Sequence, residues 1–154
     1  MYTKKKFYVA YGSNLNKRQM RFRCPNAVPF MSGELKDYEL LFKGSLTGAY
    51  ATVEPKKGAS VPVGLWIIDA EDERFLDRYE GYPTFYYKKD VQITTKDGNV
   101  TAMVYIMDER RRIGTPTEDY VNVCLEGYDD FGLNKLDFVD ALLSNIMREE
   151  SENE

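Results

Sequence analysis

Groups able to move protons are unevenly supplied in this 154-residue chain, which has 25 aspartates and glutamates, 12 tyrosines and two cysteines but no histidine. Without histidine, Ser-His-Asp and Cys-His catalysis within one chain are excluded, as are the common histidine-based zinc sites. Proton transfer must fall to a carboxylate, lysine, tyrosine or cysteine. Cys24 and Cys124 lie far apart and match neither a metal nor a redox spacing, so a reduced compartment and no metal or cofactor are expected.

Three segments gather the remaining groups in chemically suggestive ways. Tyr11-Gly12-Ser13-Asn14-Leu15 follows a short apolar run. A strand ending in a glycine turn before a helix points several backbone N–H groups into one volume, where the helix dipole adds to them. Such a cradle binds a carboxylate or a developing oxyanion, and glycine lets the ligand come close. The same Gly-Ser-Asn pattern is also an ordinary helix-capping turn. Glu80 stands just before Gly81-Tyr82-Pro83, where a helix is expected to end. A carboxylate there faces the negative end of the macrodipole, and burial among Tyr79, Tyr82 and Tyr86 would raise its proton affinity further. Both effects suit a general base near neutral pH, although a solvated helix-end glutamate has the same sequence appearance. Tyr86, Tyr87 and Tyr120 are the third candidates: their hydroxyls can fix a polar substrate or a carbonyl oxygen, and a core or interface aromatic is the alternative for each.

Other conspicuous residues have simpler readings. Arg110-Arg111-Arg112 beside Asp108 and Glu109 reads as a charged surface turn, Lys4-Lys5-Lys6 as a solvated edge, and Cys24 as an inert thiol with no base to activate it.

The elements that must position these groups follow from periodicity and turn chemistry. Strands are expected at 7–10, 35–43, 49–54, 61–68, 86–94 and 100–107, with a Pro55-Lys56-Lys57-Gly58 turn and a hairpin over Lys96-Asp97-Gly98-Asn99. Pro62 places the start of its strand at an edge or a bulge. Helices are expected at 15–22, capped by Ser13 or Asn14, from Asp69 to about Tyr79, at 118–125, and at 134–147. In the last, Leu136, Val139, Leu143 and Ile146 form an apolar stripe that Leu142 and Met147 widen. Six strands with inserted helices give a single α+β domain over 1–147, built on a mixed, mostly antiparallel and partly closed β-barrel with peripheral helices. Residues 148–154 form an acidic tail expected to fray.

Hydrophobic residues make up 43% of the chain and its net charge is -4, which fits a folded domain and argues against nucleic acid as the partner. Nothing approaches the ~20 apolar residues of a spanning helix, so a cytoplasmic protein with no membrane partner is expected.

These segments together resemble the gamma-glutamylcyclotransferase-like superfamily. Val9-Ala10-Tyr11-Gly12-Ser13-Asn14-Leu15 reproduces its strand and Tyr-Gly-Ser-Asn-Leu hallmark, and Leu76-Asp77-Arg78-Tyr79-Glu80-Gly81 matches the segment that carries its catalytic glutamate. Tyr82-Pro83 and Tyr86 resemble the form common in bacterial members. Ala51-Thr52-Val53, Val63-Gly64-Leu65-Trp66 and Val104-Tyr105-Ile106-Met107, followed by Pro116 and Tyr120, resemble its later strands and tyrosine-bearing segment. The resemblance implies a barrel with a cavity at the Tyr11–Leu15 turn. It also implies intramolecular aminolysis of a gamma-glutamyl amide to 5-oxoproline and a free amine or amino acid. Glu80 would be the base, the Gly12 to Leu15 N–H groups the cradle, and Tyr11, Tyr86 and Tyr120 substrate contacts. The expected partner is a small gamma-glutamyl substrate, handled by a monomer or homodimer. The alternatives are removal of a gamma-glutamyl protecting group from an intermediate, a non-catalytic binder of a small acidic metabolite, and a plain protein-interaction domain.

Overall fold

Strand β1 (Lys6–Ala10) is short and apolar, and it lies between two neighbours. It pairs antiparallel with the end of β3 (Tyr50–Ile68), from Lys6 opposite Ile68 to Ala10 opposite Gly64. On its other side Tyr8 pairs parallel with Met103 of β5 (Gly98–Met107). That parallel contact closes a five-stranded barrel in the order β1-β3-β2-β4-β5, with β2 at Val28–Lys43 and β4 at Tyr86–Thr95. The other pairings are antiparallel, which makes this the expected mixed α+β barrel. The structure is a computed structural model and describes residues 4–152. The tail reading over 148–154 runs past these at 153 and 154.

Five strands form where six were expected, because 49–54 and 61–68 are one continuous strand. The Pro55-Lys56-Lys57-Gly58 segment is not a turn but a bulge in a long two-stranded ribbon. Tyr38 pairs with Pro55 and Lys36 with Ser60, so four residues of β3 face Asp37 alone. Asp37 and Gly58 both take positive φ, 64° and 85°, and the Gly58 N–H donates to Asp37 Oδ1 at 3.0 Å. The local turn signal was real, and cross-strand pairing on both sides turned it into a kink. Strand β2 likewise starts seven residues earlier than expected, at Val28, because β3 supplies a partner over that whole length. Pro62 lies in β3 beyond the end of the β1 pairing, where an N–H is not required.

Helix α1 (Lys17–Arg23) is capped by Asn16, whose side chain accepts from the Gln19 N–H; Ser13–Leu15 form a separate 3₁₀ turn instead of the expected cap. Helix α2 (Ala70–Tyr79) starts with a reciprocal capping box between Asp69 and Asp72 and buries Leu76. Phe75 also packs against the core, whereas Tyr79 is half exposed. Helix α3 (Glu118–Asp130) buries Cys124 and Tyr128.

Helix α4 (Lys135–Glu152) corrects the periodicity reading. Leu136, Val139, Leu143 and Met147 face outward, and the buried positions are Phe138 and Asn145. Phe138 packs edge-on against Phe42 and Tyr128, at 5.4 Å between ring centroids in each case. The helix carries apolar residues on two faces, and the barrel takes the one that holds its single phenylalanine. No helix among the described residues is long and apolar enough to cross a membrane.

Candidate active site

The chain leaves β1 at Ala10, and Gly12 to Leu15 wind into the 3₁₀ turn. The Leu15 N–H returns to Gly12 O at 3.1 Å and the Asn16 N–H to Ser13 O at 3.0 Å. Among the described residues, the N–H groups of Gly12, Ser13 and Asn14 have no acceptor. Three successive free donors at the start of a helical turn form an anion-binding concavity. Leu15 is not one of them: its N–H is engaged, and its side chain is fully buried beneath the turn. Glycine keeps position 12 uncrowded: a Cβ there would sit 3.1 Å from both the Ala51 Cβ and the Tyr120 hydroxyl, tight enough that one of them would have to shift. The turn is held from below by Trp66, whose Nε1–H donates to Asn14 O at 2.9 Å.

Glu80 caps the C-terminal end of α2, with its N–H on Leu76 O at 2.8 Å. Gly81 follows with φ of 64°, the left-handed residue that ends the helix. The Glu80 carboxyl is enclosed by the walls of a cavity of about 370 Å³, which Gly12, Ser13 and Asn14 also line. Burial raises its pKa from 4.5 to about 7, while the Arg23 guanidinium and a hydrogen bond from Asn14 Nδ2 at 3.3 Å pull the other way. Desolvation wins, leaving a carboxylate poised to exchange a proton near neutral pH.

Tyrosines form the rest of the wall. The Tyr86 hydroxyl donates to Ala51 O at 2.8 Å, and the Tyr120 hydroxyl accepts from the Ala51 N–H at 3.0 Å, so α3 and β4 grip the same residue of β3. The Tyr11 hydroxyl donates to Tyr105 O at 2.7 Å. Tyr82 does not join them: it is 40% exposed and lies under the Lys88 ammonium, 4.2 Å from the ring centroid. Sequence reasoning also missed Tyr8, Tyr105, Tyr50, Phe85 and Arg78, which line the cavity. Period-two alternation could have found Tyr8, since it shares a strand face with Ala10. Arg23 was missed too. It reaches Asn14 from the far end of α1, with Nη1 2.5 Å from Asn14 Oδ1, and no local pattern announces that contact. Cys24 and Cys124 are buried, and their thiols are pushed up to about 12, so both are protonated at neutral pH.

The cavity thus combines one enclosed carboxylate, three free N–H groups and a ring of tyrosines. The sequence pattern of the gamma-glutamyl cyclotransferase, AIG2-like family matches residues 8–122, which include all of these groups. The chain belongs to that family. Gamma-glutamylcyclotransferases from Homo sapiens and Bos taurus are each 30% identical to it over 135 residues, covering 82% of this chain and 71% of the relative. A solved gamma-glutamyl cyclotransferase structure superposes with a TM-score of 0.79 at 27% identity, covering 84% of this chain and 82% of the other. As a member of the gamma-glutamyl cyclotransferase family the chain is an enzyme.

Proposed function

We propose that this enzyme cyclises a small gamma-glutamyl amide, releasing 5-oxoproline and an amine or amino acid, with Glu80 as general base and then general acid. The observation that carries this reading is the placement of the enclosed Glu80 carboxyl in the same cavity as the free N–H groups of Gly12, Ser13 and Asn14. The substrate α-carboxylate fits the N–H cradle, which leaves the α-amine and the γ-carbonyl inside the cavity. Glu80 takes a proton from the α-ammonium; the freed amine attacks the γ-carbonyl carbon, and the ring C–N bond forms as the amide C–N bond breaks. The proton on Glu80 then passes to the leaving nitrogen, and the extra proton of the new ring nitrogen follows it, so that the lactam keeps one N–H and the amine leaves as an ammonium. The nucleophile is already part of the substrate, so the reaction draws on no enzyme nucleophile, metal or cofactor. Holding amine and carbonyl in register is itself worth up to ~7–11 kcal/mol, and a positioned carboxylate adds ~10²–10⁴-fold.

The test is mass-spectrometric detection of 5-oxoproline after incubation with a panel of gamma-glutamyl compounds. Wild type should form it, with kcat/KM rising with pH through about 7 as Glu80 ionises. Glu80→Gln should stay folded and lose turnover by at least ~10²-fold. An active Glu80→Gln enzyme would overturn the assigned base.

A further inference from the structure

A hydroxyl has a single hydrogen, and following that hydrogen around the cavity separates its tyrosines into two kinds. Tyr11 gives its hydrogen to Tyr105 O at 2.7 Å, Tyr86 to Ala51 O at 2.8 Å, and Tyr105 to Asp77 Oδ1 at 2.5 Å. These three are spent on the protein and serve as walls. Tyr8 and Tyr120 differ: the Tyr8 oxygen accepts from Asn14 Nδ2 at 2.8 Å and the Tyr120 oxygen from the Ala51 N–H at 3.0 Å, and neither O–H has an acceptor among the described residues. Of the two, Tyr8 shares with Glu80 the amide that holds it. Tyr8 is 2% exposed yet lines the cavity, so a ligand in the cavity is the partner its hydrogen can meet.

The direction of the Tyr8–Asn14 bond is not arbitrary. A side-chain amide can be turned either way, and the group on its far side decides. Here that group is Arg23, whose guanidinium only donates, and Nη1 stands 2.5 Å from Asn14 Oδ1. The Asn14 NH₂ is therefore forced to the opposite side, where it serves the Tyr8 oxygen and, at 3.3 Å, Glu80 Oε1. Arg23 is itself fixed: Nη2 donates to Gln19 Oε1 at 2.8 Å, and the guanidinium carbon lies 4.0 Å over the centroid of the Tyr79 ring. One amide, aimed by one guanidinium, thus sets both the base and a hydroxyl donor.

We propose that Tyr8 is a catalytic hydrogen-bond donor to the oxygen of the reacting γ-carbonyl, and that Arg23, through Asn14, is the positioning residue that turns its hydrogen toward the substrate. The role rests on the cyclisation proposed above. As the α-amine adds to the γ-carbonyl carbon, the π electrons move onto the carbonyl oxygen, and the Tyr8 O–H stabilises that charge. The proton stays on Tyr8 throughout; collapse of the tetrahedral centre returns the electrons and expels the amine, with Glu80 doing the proton transfer. Burial and the neighbouring Glu80 charge hold the Tyr8 hydroxyl well above the usual tyrosine range, so it remains a donor. Arg23 supplies the positive charge that bears on Glu80, while Tyr8, Tyr11, Tyr79, Tyr86 and Tyr120 face it from β1, α2, β4 and α3 as neutral groups.

The experiment measures 5-oxoproline formation against pH for wild type, Tyr8→Phe and Arg23→Met, with melting curves to normalise for folded protein. Tyr8→Phe should lower kcat by on the order of a hundredfold with little change in KM, because the lost contact strengthens only as charge develops. Arg23→Met lies on the outer helix and leaves the core unchanged, so it reports even if Tyr8→Phe folds poorly. It should lower kcat and move the acidic limb of kcat/KM to higher pH, since the cation beside Glu80 is gone; a merely structural arginine would move neither. Wild-type product with an undiminished Tyr8→Phe rate overturns the donor role alone. An unshifted limb and unchanged kcat in Arg23→Met overturn the positioning role. No product from wild type across the panel overturns the cyclisation, and this role with it.

Discussion

Enclosing Glu80 raises its proton affinity and weakens the fold near neutral pH. Its pKa rises from 4.5 to about 7 on folding, chiefly by desolvation. Below 4.5 the group is protonated in both the folded and unfolded chain and costs nothing. Between 4.5 and about 7 folding takes up a proton, so stability falls as pH rises, and above about 7 the whole penalty is present. A shift of this size corresponds to about 3 kcal/mol. Glu80→Gln keeps the shape and removes the titration. It is therefore expected to be more stable than wild type by about 3 kcal/mol at a pH of about 8, with the gain vanishing below a pH of about 4.5. Urea unfolding at the two pH values measures both ends, and an equal gain at both would mean that Glu80 is not desolvated in the fold. If Glu80 is the base as proposed, the loss of turnover in Glu80→Gln should thus coincide with a gain in stability.

At the scale of elements, the parts of the site that are local in sequence were legible and the parts made by packing were not. The Gly12-Ser13-Asn14 turn, the end of α2 at Glu80 and the hairpin of β4 and β5 depend on neighbours within a few residues, and they appear where their turn residues announce them. The unbroken β3 and the inward face of α4 depend on partners far away in the chain, so Pro55-Lys56-Lys57-Gly58 and Leu136-Val139-Leu143 misled. The tyrosine wall belongs to the second class: Tyr120 lies 69 residues from Ala51, and only the docking of α3 brings them together. That docking depends on Gly127. A Cβ there would stand 2.6 Å from the Leu15 Cβ and 2.7 Å from the Asn16 nitrogen and the Leu15 carbonyl carbon, contacts with a buried turn that has little room to yield. Gly127→Ala should therefore push α3 away from the 3₁₀ turn and cost about 1–3 kcal/mol. The displaced helix carries Tyr120 with it, so kcat/KM should fall at temperatures where the variant is fully folded. An unchanged kcat/KM in such folded protein would show that α3 can shift without disturbing the cavity.

Across the whole molecule, α4 is tied to the cavity through the barrel strands. Asn145 is fully buried on the inner face of the helix; its Oδ1 accepts from the Phe42 N–H and its Nδ2 donates to Gly114 O, each at 2.9 Å. Phe42 pairs across β2 and β3 with Ala51, the residue that both Tyr86 and Tyr120 hold. One helix–barrel contact therefore bears on the strand pair from which the tyrosine wall hangs. Asn145→Leu keeps roughly the same volume but leaves a buried N–H and a buried C=O without partners, at about 1–3 kcal/mol each. A loss of about 2–5 kcal/mol is expected, a large share of the stability of a domain this size. If α4 unfolds with the barrel as one cooperative unit, the urea midpoint should fall while the slope of free energy against urea stays unchanged. A lower slope, or a second transition, would instead show the helix leaving first, with the barrel and its cavity standing without it.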